Sequence, residues 1–178
     1  MDDVIFLNGI PRPAEEHFWS IRPFAREDRP FTIKTWLRSY EGSAPHSREC
    51  RGQYLTEVNP QLGAQVRDSY YNLGNDLVDA VLSRTTTIIA CHRTEPDVIV
   101  GFITGEVAHG ALVVHYIFSM KRYRNMGIAR DLLGQLRSEL LPQITDSQLI
   151  VTSSTPSVRL QIARAHAIVV PLTAFGKL

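Results

Sequence analysis

Apolar and polar positions alternate along this chain in two periods, and they divide most of it into strands and amphipathic helices. Residues 18–23, FWSIRP, read as a strand stopped by a proline. After the acidic turn at Glu27-Asp28, Phe31, Ile33, Trp36, Leu37 and Tyr40 recur at helical spacing. Pro30 sits where a first helical turn tolerates proline, and Asp28 is the expected N-cap. Leu62, Val66, Tyr70, Leu73, Leu77 and Val81 mark one face of a second helix that starts at Asn59-Pro60. Residues 85–92, 98–107 and 112–119 are β-branched runs joined by short turns, which predicts an antiparallel meander. An amphipathic helix follows, ending at Leu141. Beyond it come a strand over 147–153, a short helix marked by Val158, Ile162 and Ala165, and a last strand over 168–172.

Two stretches fit less well. Residues 1–17 are proline-punctuated and form an N-terminal extension, with an edge strand around residues 4–7 and a turn at Asn8-Gly9. Residues 41–60 are rich in turn formers and charge and read as a long loop. Residues 18–178 are expected to form one α+β domain, with a mixed, mostly antiparallel sheet flanked by helices. A strand–helix–strand unit around Gly127 requires a crossover, so the strand pair it joins is expected to be parallel.

Composition narrows the class. The 178 residues suit one domain, and a formal net charge of +1 argues against a protein built around nucleic acid. The two cysteines, Cys50 and Cys91, are too few for a disulfide framework and show no metal spacing, so no metal is expected. No apolar run is long enough for a membrane span, and the first residues lack a basic leader pattern. The expectation is a cytoplasmic protein with reduced thiols.

The chemistry concentrates in residues 112–141, where a buried strand feeds an amphipathic helix through Arg124-Asn125-Met126-Gly127-Ile128-Ala129. A turn of this kind aims free backbone N–H groups at one point, at the positive end of a helix dipole, and so makes an anion site. Gly127 lets the backbone approach a diphosphate, and Arg124 adds charge-assisted hydrogen bonds. The plainer alternative is a helix start where Gly127 only permits tight packing.

These residues resemble the GCN5-related N-acetyltransferase (GNAT) superfamily. Arg124-x-x-Gly127-x-Ala129 fits the family's Gln/Arg-x-x-Gly-x-Gly/Ala motif, set in HYIFSMKRYRNMGIARDLL, and SIRPFAREDRPFTIKTWL resembles the family's first strand, acidic turn and first helix. The resemblance spans roughly residues 18 to 170. It implies a GNAT fold and acetyl-CoA as the acyl donor. The diphosphate would lie on Arg124, Asn125, Met126, Gly127, Ile128 and Ala129, and the pantetheine along the backbone of Ile117, Phe118 and Ser119. Arg130, with Lys121 and Arg122, would stand near the outer phosphates. It further implies direct acetyl transfer to an amine, a small-molecule amine ahead of a protein amino group. For the base, His115 is favoured. It lies nine residues before the motif, as in the family's arylalkylamine acetyltransferases, and strand alternation would place it on one face with Ile117 and Ser119. Glu106 is the alternative. Cys91 has no base partner and is not expected to carry the acyl group.

The sequence departs from the family twice. Many members place a tyrosine after the fifth strand as general acid; no tyrosine stands there, which leaves the role to Ser153, Ser154 or His166, or the thiolate to depart with the help of water. The ending is also short, which leaves the acceptor cleft to a second copy of the chain in a homodimer, to residues 1–17, or unfinished. Tyr40, Tyr54, Tyr70 and Tyr71 are candidates for the acceptor pocket. The rival reading is a noncatalytic GNAT-fold module that binds acyl-CoA or a protein partner.

Overall fold

The computed structural model describes residues 4–7, 10–13, 17–41, 60–144, 149–152 and 168–169. Among the described residues, strands β1 (Val4–Leu7) and β2 (Ile10–Pro13) pair with each other alone, antiparallel. The strand expected around residues 4–7 is thus present, and it lies in a two-stranded sheet apart from the main one.

The main sheet has six strands: β3 (Trp19–Pro23), β4 (Thr86–His92), β5 (Ile99–Ala108), β6 (Ala111–Ser119), β7 (Leu149–Val151) and β8 (Ile168–Val169). They lie in sequence order; β3 to β6 are antiparallel, and β6–β7 and β7–β8 are parallel. The β-branched runs predicted β4 to β6 to within a residue or two at each end.

Among the described residues three α-helices cover the sheet: α1 (Arg29–Glu41), α2 (Pro60–Arg84) and α3 (Ile128–Leu140). On one face, Ile128, Leu132, Leu136 and Leu140 of α3 close over Trp19, Ile88, Ala90, Val100, Ile103, Leu112 and Val114. Each fully buried Leu, Ile or Val among them contributes about 1.5–3 kcal/mol. On the other face, Trp36 and Leu37 of α1 and Val78, Val81 and Leu82 of α2 cover Ile89, Cys91, Phe102 and Tyr116. Trp36 and Tyr116 stack with their rings 4.8 Å apart.

Two local expectations are corrected. Leu73 and Leu77 are 72% and 52% exposed, so of the described side chains in the apolar stripe read along α2 only Val81 is buried. The helix is rotated to seat Val78, Val81 and Leu82, and Gly74 admits Leu37 where a Cβ would stand 2.7 Å from its Cδ2. Asp28 does not cap α1 in the expected way. Its carboxylate takes hydrogen bonds from the Ala25 N–H (2.8 Å) and both terminal nitrogens of Arg22 (2.7 Å each), fixing the 3₁₀ turn Arg26–Asp28 that leads into α1. Across the surface, Arg29 bonds Asp79 and Ser83, which ties α1 to α2.

Cys91 is buried beside Ser20, with Sγ 3.3 Å from the serine hydroxyl. No described helix is long and apolar enough to cross a membrane.

Candidate active site

The turn before α3 has the backbone its sequence requires. Asn125 has φ 66° and Gly127 φ 103°, both left-handed; asparagine tolerates the first and glycine accepts the second without strain. The Gly127 carbonyl starts the helix by accepting from the N–H groups of Arg130 (2.9 Å) and Asp131 (3.1 Å). The N–H groups of residues 125–129 bond to no acceptor among the described residues. Five donors thus cluster at the positive end of a 13-residue helix. The buried side chain of Ile128 anchors this end to the core, and Tyr123, packed on Phe18 at 4.5 Å, holds the preceding 3₁₀ turn Lys121–Tyr123.

Strand β6 leads into this turn. It pairs with β5 as far as Ser119; among the described residues its pairing with β7 runs from Leu112↔Leu149 to Val114↔Val151, followed by the hydrogen bond from Thr152 N–H to the Val114 carbonyl. Met120 N–H bonds the Val100 carbonyl, so antiparallel alternation turns the amides of Phe118 toward β5 and those of Ile117 and Ser119 away from it. The Ser119 carbonyl accordingly meets Arg124 Nε at 3.4 Å. Ser119 Oγ is buried without a hydrogen-bond partner, an unmet polar group beside the same turn. Phe118, by contrast, spends its amide on the sheet and packs against the core. Of the expected trio Ile117, Phe118 and Ser119, the amides of Ile117 and Ser119 are the ones turned away from β5.

In the β5–β6 register, Thr104 faces Tyr116 but Gly105 faces Val114, so His115 is the extra residue of a bulge. A Cβ on Gly105 would stand 2.5 Å from the Val113 carbonyl oxygen; glycine permits the close approach. The bulge reverses the alternation expected for His115. Its ring lies on the α1/α2 face with Glu106, whereas Ile117 packs toward α3. The shared face with Ile117 and Ser119 is overturned for this reason.

His115 Nε2 is 2.8 Å from Glu106 Oε1, and Nδ1 is 3.2 Å from Thr152 Oγ1. The histidine side chain is 0% exposed and the glutamate 25%, with Arg84 at 3.8 Å from the same carboxylate oxygen. Burial is the largest influence on the imidazole and lowers its pKa; Glu106 pulls it up, Arg84 opposes that pull, and the net shift is downward. The two candidate bases are therefore one hydrogen-bonded unit, and Glu106 is its member at the surface. Nothing in the sequence pairs them: the residues are nine apart and meet only across the β5–β6 turn. Thr152 and Arg84 were absent from the expected site, because neither belongs to a motif.

No family model matches the sequence, and no curated protein matches it. The fold, by contrast, matches 87 solved chains. One is a proposed acetyl transferase from Pyrococcus furiosus, 14% identical, with 82% of this chain and 91% of that one covered at a TM-score of 0.56. Another is an acetyltransferase of the GNAT family from Staphylococcus aureus Mu50, 16% identical, with 83% and 81% covered at a TM-score of 0.50. The chain has the GNAT fold.

Within this GNAT fold the predicted cofactor residues differ in what they can offer. Asn125, Met126, Gly127, Ile128 and Ala129 present backbone N–H groups, and Ile128 can offer only that, since its side chain is in the core. Arg124 and Arg130 are exposed, and Arg130 lies 3.8 Å from Asp131. The Arg122 guanidinium sits over the Tyr123 ring at 4.6 Å. Ser153, Ser154, His166 and Tyr54 lie outside the described residues, as do the side chains of Tyr40 and Tyr70, most of the 41–60 loop and the helix expected around Val158. Tyr71 is half-buried against the α1/α2 core. No group of three or more metal-ligating side chains occurs among the described residues.

Proposed function

We propose that this protein is an acetyl-CoA-dependent N-acetyltransferase that passes the acetyl group directly to an amine, with small-molecule amines the first acceptors to test. The observation that carries this reading is the row of unbonded N–H groups from 125 to 129, set beside the outward-facing amides of Ile117 and Ser119 and the unmet Ser119 hydroxyl. A diphosphate joined to an extended amide-bearing arm matches that array in charge and in hydrogen-bond type. Acetyl-CoA, when bound, supplies an acyl group activated as a thioester.

The chain's own residues then have separate tasks. The turn and Arg124 hold the phosphates. Ile117 and Ser119 offer backbone hydrogen bonds to the arm, and an outward N–H of this pair is a donor for a developing oxyanion. An alkyl ammonium has a pKa of about 10.4 and must lose a proton before it can attack, and Glu106 accepts that proton. His115 sits behind Glu106 and orients it.

Thermal unfolding with acetyl-CoA tests the reading. Ligand at about 100 times its dissociation constant stabilises a protein by about 2.7 kcal/mol, and Gly127→Glu should abolish the shift by setting bulk and negative charge among the phosphates. A folded sample that acetyl-CoA does not stabilise would overturn the proposal. The absence of tyrosine beyond Tyr123 favours a second reading, a noncatalytic module that binds acyl-CoA or a protein partner. Release of CoA thiol with a panel of amines separates the two.

A further inference from the structure

His115 is fully buried, yet it sits in the one place on this face where its charge would govern Glu106. Its surroundings decide whether it can hold a proton at all. Thr152 Oγ1 is 3.2 Å from His115 Nδ1 and also 3.2 Å from the His115 carbonyl oxygen. A hydroxyl carries one proton and two lone pairs, and it rotates to suit its neighbours. It can donate to only one of these two acceptors at a time.

We propose that Thr152 is a positioning residue whose hydroxyl acts as a rotor, keeping His115 hydrogen-bonded at both ring nitrogens in either charge state. With neutral His115, the hydroxyl donates to Nδ1 and the ring donates Nε2–H to Glu106. With protonated His115, Nδ1–H donates to the hydroxyl oxygen, and the hydroxyl turns to the His115 carbonyl. The Glu106 bond is the same in both states. A histidine with no exposed surface can therefore titrate in place without stranding a donor. The backbone fixes this arrangement: Thr152 N–H is bonded to the Val114 carbonyl at 3.0 Å, and the bulge turns the ring of His115 toward it.

The charged and titratable groups facing His115 among the described residues are Glu106 from β5 and Arg84 from the end of α2. The charge on His115 sets the basicity of Glu106. An imidazolium pairs with the carboxylate and makes it a poor proton acceptor, whereas the neutral ring leaves it free to accept. Under the proposed acetyl transfer, which this inference deepens, activity rises with pH as His115 loses its proton.

The test is the titration of His115 followed by ¹⁵N NMR of the imidazole in the whole protein, with no acetyl-CoA present. That readout stands whether or not the protein transfers acetyl groups. Thr152→Val removes the hydroxyl oxygen that accepts from Nδ1–H of the imidazolium, and the midpoint should fall by about one pH unit or more. Thr152→Ser keeps the hydroxyl and should titrate like the wild type. In the wild type alone, neutral His115 should carry its proton on Nε2. An unchanged midpoint in Thr152→Val, or a neutral wild-type ring protonated on Nδ1, would overturn the proposal. Should Thr152→Val fail to fold, the wild-type tautomer and the Thr152→Ser titration still decide it. If turnover is found, its acid limb should move to lower pH in Thr152→Val, a gain that a purely structural role does not produce.

Discussion

Glu106 and His115 meet at 2.8 Å across the β5–β6 hairpin, and only the glutamate of the pair reaches the surface. The chemistry of the face follows from that inequality. A buried imidazole with both nitrogens engaged cannot meet an acceptor directly. The carboxylate can, and its strength as a base depends on the ring behind it.

Glu106→Gln should therefore remove the proton acceptor while keeping the shape of the site. General-base catalysis contributes about 10²–10⁴-fold, so kcat should fall by at least about 100-fold at neutral pH. The acetyl-CoA thermal shift should survive, because the phosphate turn lies at the other end of β6. Steady-state thiol release and thermal unfolding, run on the same preparation, would show the split. Loss of both would place Glu106 in the fold and not in the reaction.

Gly105→Ala probes the bulge that joins the pair. The new methyl would meet the Val113 carbonyl oxygen at 2.5 Å and Leu136 Cδ2 at 3.0 Å. The leucine can move a few tenths of an ångström, but the carbonyl belongs to the neighbouring strand. Overpacking of this kind costs about 1–3 kcal/mol, readable as a lower urea midpoint. The ¹⁵N signals of His115 should shift as well, since the strain falls on the register that presents its ring.

Much of this architecture is legible before any coordinates. The β-branched runs at 85–92, 98–107 and 112–119 can bury only as strands, and Arg124-x-x-Gly127-x-Ala129 predicts the turn that is found. The bulge at His115 is not legible, because register is a property of two strands and period-2 alternation assumes perfect pairing. That assumption turned His115 to the wrong face. Leu73 and Leu77 misled similarly: they satisfy a helical period, yet Gly74, which reads as a weak point, marks the side that packs. Thr152 had no signal, since a lone threonine at the end of a strand gains its meaning from the ring beside it.

Gly127→Ala is the mild counterpart of the glutamate substitution. A φ of 103° is outside the range an alanine adopts comfortably, so the variant should lose about 1 kcal/mol or more by urea denaturation. The N–H groups of the turn should also lose their common aim. Acetyl-CoA affinity should weaken even after the stability loss is allowed for, which titration calorimetry at a temperature where both proteins are folded would measure.

Asp28 joins β3 to α1 through Arg22 and the Ala25 N–H. Burial pushes its carboxyl up, but the Arg22 hydrogen bond, the Ala25 N–H and the Arg22 charge outweigh burial and hold it below its ordinary value. A depressed carboxylate contributes stability above its unfolded pKa of about 3.9 and loses it as pH falls through the folded value. Asp28→Ala strands a half-buried guanidinium and a backbone donor, and should cost about 2–4 kcal/mol at pH 7. Asp28→Asn, which keeps an acceptor for the Ala25 N–H, should cost less. Equal losses in the two variants would show that the charge of Asp28, which both remove, carries the effect and that the acceptor kept by Asn contributes little.

His115 makes a pH prediction of opposite chemical origin. Its folded pKa lies below the ordinary histidine value of about 6.5, chiefly through burial. Between the folded value and 6.5, the unfolded chain binds more protons than the native one, so native stability rises with pH across that window. The contribution is complete above about pH 6.5 and declines as pH falls toward the folded pKa. Urea denaturation at a series of pH values between about 5 and 7.5 should show this slope in the wild type. In His115→Gln the window should flatten, although the variant is less stable throughout because Gln fits the Glu106–Thr152 bridge imperfectly. A wild-type protein that gained stability on acidification through this range, with a His115→Gln variant that did not, would mean that Glu106 outweighs burial and that His115 is held protonated.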